Sequence, residues 1–246
     1  MEKVYDIDYA SLDNKSKIEF VHHFSNLAKK SFNELPLRTS WLVQLLFLTR
    51  CWNSYSLMDV HNSTPKVLYT AIDLLWKFMD EQADMEELIS FQKGFSASLL
   101  NVMTGDTCEI EETEQNGQFY KQYFYQWNDF YNIFSDTLCS LFEQVVNKTV
   151  NWGAIENMIY ADIGDDKIEY FEEVYNNAAG VNSFAERECK TYKSLTFCRV
   201  IALCQRDMKE ALADNLQVDL YERYKKEYIF SPEQCKKYSE LIKSRN

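Results

Sequence analysis

Four carboxylates fall within eight positions at Asp162-Ile163-Gly164-Asp165-Asp166-Lys167-Ile168-Glu169. Acids at i, i+1 and i+4 on a helix share one side, an arrangement suited to holding a divalent cation or a diphosphate through several of them. Such chemistry needs a second acid cluster across a cavity, and no Asn-Ser-Glu pattern elsewhere supplies it. The same residues also read as the opening turns of a helix, where Asp165, Asp166 and Glu169 stabilise the positive end of the dipole. A second candidate is Glu19-Phe20-Val21-His22, the Glu-x-x-His spacing with which helical bundles hold paired iron ions. A di-iron site requires two copies. The other histidines, His23 and His61, have no Glu three positions before them, so the set is incomplete. No Gly-x-Ser-x-Gly, Walker, Rossmann or His-Glu-x-x-His pattern is present. No residue is therefore assigned a catalytic role, and neither a metal ion nor a cofactor is expected.

The most unusual stretch joins acids to rings. Asp106, Glu109, Glu111, Glu112 and Glu114 lie between Gly105 and Gly117, and the tract from Phe119 to Phe134 follows at once. The first part, with no apolar period apart from Ile110, reads as an exposed loop. In the second, Phe119, Tyr123, Trp127, Phe130 and Phe134 recur at steps of four or three and mark one helix face, while Tyr120, Phe124 and Tyr131 mark a neighbouring one. The rings either fill a large core or, in part, serve as contact anchors for a partner that the acids steer. On the second reading the partner-binding residues are the five acids, Tyr120, Tyr123, Tyr125 and Trp127, with Asp162, Asp165 and Asp166 extending the same acidic surface.

Charge supports a protein partner of opposite sign. The formal net charge is -12, and residues 51–204 hold ten basic against twenty-four acidic side chains, so the middle of the chain carries the whole surplus. This field repels nucleic-acid phosphates and anionic membrane surfaces and attracts cationic proteins. Seven cysteines without Cys-x-x-Cys spacing read as reduced thiols within apolar helical patterns. No basic n-region with an apolar core is evident near Met1, and the apolar run Trp41 to Leu48, bounded by Arg38 and Arg50, is too short for a membrane span. A cytoplasmic location is expected, with homo-oligomerisation left open.

The elements that must position these residues are helices. Only 6 Gly and 3 Pro occur in 246 residues, which disfavours hairpins and tight turns, and period-2 runs are missing. Helical spacing predicts elements over 15–32, 37–58, from the Thr64-Pro65 start signal onward, 84–103, 118–148, 152–162, 165–179, 183–212 and 218–228, with a final helix opened by Ser231-Pro232-Glu233-Gln234. The helix over 37–58, apolar around much of its circumference, is the expected centre of the core. The expected fold is all-α, a single-domain multi-helix bundle or array of about nine to ten helices spanning 1–246.

Trp41-Leu42-Val43-Gln44-Leu45-Leu46-Phe47-Leu48-Thr49-Arg50-Cys51-Trp52, followed by Ala71-Ile72-Asp73-Leu74-Leu75-Trp76-Lys77-Phe78, resembles the helical immunity proteins of bacterial polymorphic toxin systems. The resemblance covers about a fifth of the chain and carries over no contact residues. It implies an inhibitor that binds one cognate toxin domain and blocks its active site. An acidic surface suits a basic, phosphate-holding cleft such as that of a nuclease toxin. Two alternatives stand beside it: a helical metal-dependent enzyme using the Asp162 to Glu169 cluster, and a non-catalytic scaffold subunit.

Overall fold

A computed structural model describes residues 7–13, 15–17, 19–20, 30–31, 34–58, 66–103, 134–153, 195–213 and 219–243. Of the interpretable part 79% is helical and none is strand, so the fold is all-α. In chain order the helices are α1 (Leu37–Met58), α2 (Lys66–Met79), α3 (Met85–Met103), α4 (134–147), α5 (Leu195–Leu212), α6 (Asp219–Tyr224) and α7 (Pro232–Lys243). A 3-10 turn at Tyr9–Ser11, absent from the sequence expectation, precedes helical residues from Lys15, where Asp13 Oδ1 accepts the Ser16 N–H at 2.7 Å. Among the described residues no helix is long and apolar enough to cross a membrane.

α1 is the axis of the molecule, as its composition predicts. From Thr39 to Cys51 every residue is buried, because α2, α5 and α7 all pack on it. Trp41, Leu42, Leu45, Leu46, Leu48 and Cys51 supply the apolar bulk. α2 is amphipathic in the ordinary way: Leu68, Ala71, Ile72, Leu75, Trp76 and Met79 face inward while Tyr69, Thr70 and Lys77 do not. α3 packs beside α2, and Phe91 and Phe95 close on Phe142 of α4 with ring centroids 5.7 Å apart in each case. Fully burying one such ring stabilises the fold by roughly 1.5–3 kcal/mol.

The helix ends follow local rules. Asp84 and Glu87 form a reciprocal capping box before α3, with Glu87 N–H to Asp84 Oδ1 at 2.9 Å and Asp84 N–H to Glu87 Oε2 at 3.1 Å. Ser231 and Gln234 do the same before α7, as their sequence predicts. α2 and α4 end in Schellman turns whose left-handed residues are Glu81 (φ 60) and Lys148 (φ 54). α6 is shorter than expected. Its predicted continuation to residue 228 fails because the side chain of Asn53 takes the carbonyls of Tyr224 (2.7 Å) and Glu227 (2.9 Å), and Ser54 Oγ takes the N–H groups of Ile229 (2.8 Å) and Phe230 (3.2 Å). The chain therefore turns against α1 instead of extending the helix.

Candidate functional site

The densest polar chemistry among the described residues is a charged cluster in the core, centred on Arg50. α1 carries this arginine into the interior, where its side chain is 1% exposed and Asp207 of α5 is 0% exposed. Both Nη atoms of Arg50 donate to the two oxygens of Asp207, a bidentate pair. Arg50 Nε donates to Glu227 Oε2 at 2.9 Å, and Arg206 Nη2 reaches the same oxygen at 2.6 Å. Tyr224 Oη donates to Asp207 Oδ1 at 2.7 Å and lies 3.2 Å from Glu210 Oε2, while Arg223 bonds Glu210. The Tyr224 ring sits 4.4 Å from the Arg50 guanidinium and 4.8 Å from that of Arg223, within cation–π range of both. Trp76 stacks on Tyr221 at 4.9 Å and donates from Nε1 to Thr49 Oγ1 at 2.9 Å.

Three guanidiniums thus meet three carboxylates, and the cluster is close to neutral as a whole. Burial works to lower the Arg50 pKa, but the bonds to Asp207 and Glu227 outweigh it and hold the charge firmly. Burial pushes the Asp207 carboxyl above its ordinary value, against the pull of Arg50 and Tyr224. Two guanidinium bonds and a hydroxyl donated to one carboxylate favour its ionised form, so we describe the pair as charged at neutral pH. Glu227, less buried, lies below the ordinary glutamate value: burial raises it, and the bonds from Arg50 and Arg206 prevail.

This geometry organises rather than reacts. The donors of Arg50 are directed at Asp207 and Glu227, and the hydroxyl of Tyr224 is held well above its usual range by burial and by Asp207. Beside it, burial raises the Cys204 thiol to about 12 and the Cys235 thiol to about 11, which keeps both protonated at neutral pH and poor as nucleophiles. No group of three or more His, Cys, Asp or Glu that could hold a metal ion occurs among the described residues. Comparison with family models, with curated proteins and with solved structures finds no match. The function must be argued from this chain's own residues.

Every residue selected from the sequence as partner-binding lies outside the described residues: Asp106, Glu109, Glu111, Glu112, Glu114, Tyr120, Tyr123, Tyr125, Trp127, Asp162, Asp165 and Asp166. His22, His23 and His61 also lie outside them, while Glu19 is exposed and pairs with Lys15 at 3.8 Å. The structure does describe both flanks of the acidic and aromatic segment. On one side is α3, packed through Phe91 and Phe95; on the other is α4, whose first described residue, Phe134, is fully buried and stacks on Trp52 at 5.9 Å. This last ring of the aromatic face belongs to the core. Sequence reading missed the Arg50 cluster because Arg50 was taken as the boundary of an apolar run. The available signal is its position more than two turns from either end of a helix that is apolar on nearly every side, with Ser54 four residues on.

Proposed function

We propose that the chain is a cytoplasmic binding protein of the immunity class, which neutralises a cognate basic toxin domain, of nuclease type, by occupying its phosphate-holding cleft. The observation that carries this reading is the concentration of charge: twenty-four acids against ten bases over residues 51–204, with five of those acids between Asp106 and Glu114, immediately before the run of rings after Gly117. The acids supply the steering field, and Tyr120, Tyr123, Tyr125 and Trp127 supply large anchors with little rotamer entropy to lose. Asp162, Asp165 and Asp166 widen the same surface. The described residues on either side of this segment, Phe91 and Phe95 of α3 and Phe134 of α4, pack against other rings of the fold. On this reading the remaining segments complete a single domain of nine or ten helices.

Co-expression provides the test. The chain is produced in cells together with the toxin domain encoded beside it, and survival is scored against cells holding the toxin alone. Survival that depends on the chain and falls when Glu111, Glu112 and Glu114 are reversed to Lys is the expected outcome. Death in the presence of abundant folded wild-type chain contradicts the proposal.

A further inference from the structure

α1 is buried nearly all round, yet its buried face is not uniformly apolar. Apart from Ser40, whose buried Oγ has no hydrogen-bond partner among the described residues, its polar residues bond different neighbours at successive levels. Trp41 Nε1 donates to the carbonyl of Thr149, just past α4, at 2.7 Å. Gln44 and Gln144 exchange amide hydrogen bonds of 2.8 and 3.1 Å between α1 and α4. Thr49 receives Trp76 of α2, Arg50 receives Asp207 of α5, and Asn53 and Ser54 receive the corner that runs from α6 to the start of α7. Apolar contact is non-directional, so Leu42, Leu45, Leu46 and Leu48 would accept any of these helices in several registers. The polar groups accept only one.

From this level-by-level assignment, α4 at Trp41 and Gln44, α2 at Thr49, α5 at Arg50 and the α6–α7 corner at Asn53 and Ser54, we infer that these buried polar residues of α1 form an address code: they select which helix docks at which level of the axis, and stability comes from the leucines and rings around them. Buried ion pairs contribute little net stability compared with apolar residues of similar volume, because desolvation offsets the attraction. Their geometric demand is another matter. A bidentate guanidinium and a reciprocal amide pair fix distance, rotation and register together.

The Arg50–Asp207 pair allows a clean test, since its neighbours keep partners when it is removed: Tyr224 retains Glu210 at 3.2 Å, and Glu227 retains Arg206 at 2.6 Å. Urea unfolding and amide hydrogen exchange are measured on the full chain carrying Asp207→Leu, Arg50→Met, or both. Asp207→Leu alone leaves both Nη atoms of a buried guanidinium without acceptors and should raise the unfolding constant by roughly two to three orders of magnitude. The double variant should unfold at the parental urea midpoint or above it, while exchange at residues 195–212, the helix that loses its address, accelerates at least tenfold relative to 71–79 and its amide resonances split or broaden. A parental midpoint with a single sharp set of resonances and parental protection at 195–212 would overturn the inference, since docking would then not need the address. A double variant as unstable as Asp207→Leu, or one that fails to fold, overturns it too, because the pair would then be a source of stability.

Discussion

Lys148 ends α4 with φ 54, a backbone region in which a side chain crowds its own carbonyl, and the residue is exposed. Its N–H bonds the Val145 carbonyl, and Thr149 N–H bonds that of Gln144, so the turn itself is well made and only the side chain is misplaced. Lys148→Gly is expected to stabilise the protein by about 0.5–1 kcal/mol, the relieved strain less the added freedom of the unfolded chain. Thermal unfolding should show a higher midpoint. Glu81 shares the geometry but bonds Arg38 at 2.9 Å, so glycine there removes a contact as well. Acid provides a second prediction at this scale. Glu227 and Asp73 lie below their ordinary values: burial acts upward on each, and the bonds from Arg50 and Arg206 in one case, and from Lys77 and Tyr221 in the other, bring them down. Their folded pKa is the lower one, so the stability they add is full above the unfolded value and is lost as pH falls below about 5. Asp207, raised by burial, works with the opposite sign. Glu227→Gln should lower stability at pH 7 and flatten the decline between about pH 5 and 3; urea midpoints across that range decide it.

Elements were the most legible part of the sequence. α1 runs over the span its apolar pattern predicts, and the capping box before α7 forms as Ser231-x-x-Gln234 indicates; the one before α3, between Asp84 and Glu87, is equally local but was not anticipated. Those features are local, and local chemistry is written in neighbouring residues. The corner after α6 was not legible, because its backbone partners, Asn53 and Ser54, sit about 175 residues earlier. Arg50 was missed for the same reason: nothing near it in sequence announces Asp207. The corner's dependence on α1 can be measured directly. Ser54→Ala leaves the N–H groups of Ile229 and Phe230 without their acceptor in a buried setting, which costs about 1–3 kcal/mol. Hydrogen exchange should then quicken at 229–235 more than in α2.

At the scale of the whole molecule, two charge systems do different work. The Arg50 cluster is balanced, three guanidiniums with three carboxylates, and is turned inward. The middle of the chain is strongly unbalanced, and its excess acids adjoin the aromatic run between α3 and α4. On the proposed function, this uncompensated field speeds association with a basic partner and loses effect as salt screens it over about 10 Å at 0.1 M. On the same reading, the acids of this segment recruit such a partner. The deciding measurement is the association rate constant with the proposed cognate toxin domain, taken by stopped flow at 20 and 200 mM salt for the wild-type protein and for Glu111→Lys/Glu112→Lys/Glu114→Lys. The expected result is a wild-type rate that falls about tenfold or more with salt, and a variant that associates slowly with little salt dependence while unfolding at the wild-type midpoint. Equal rates for the two proteins at low salt contradict it.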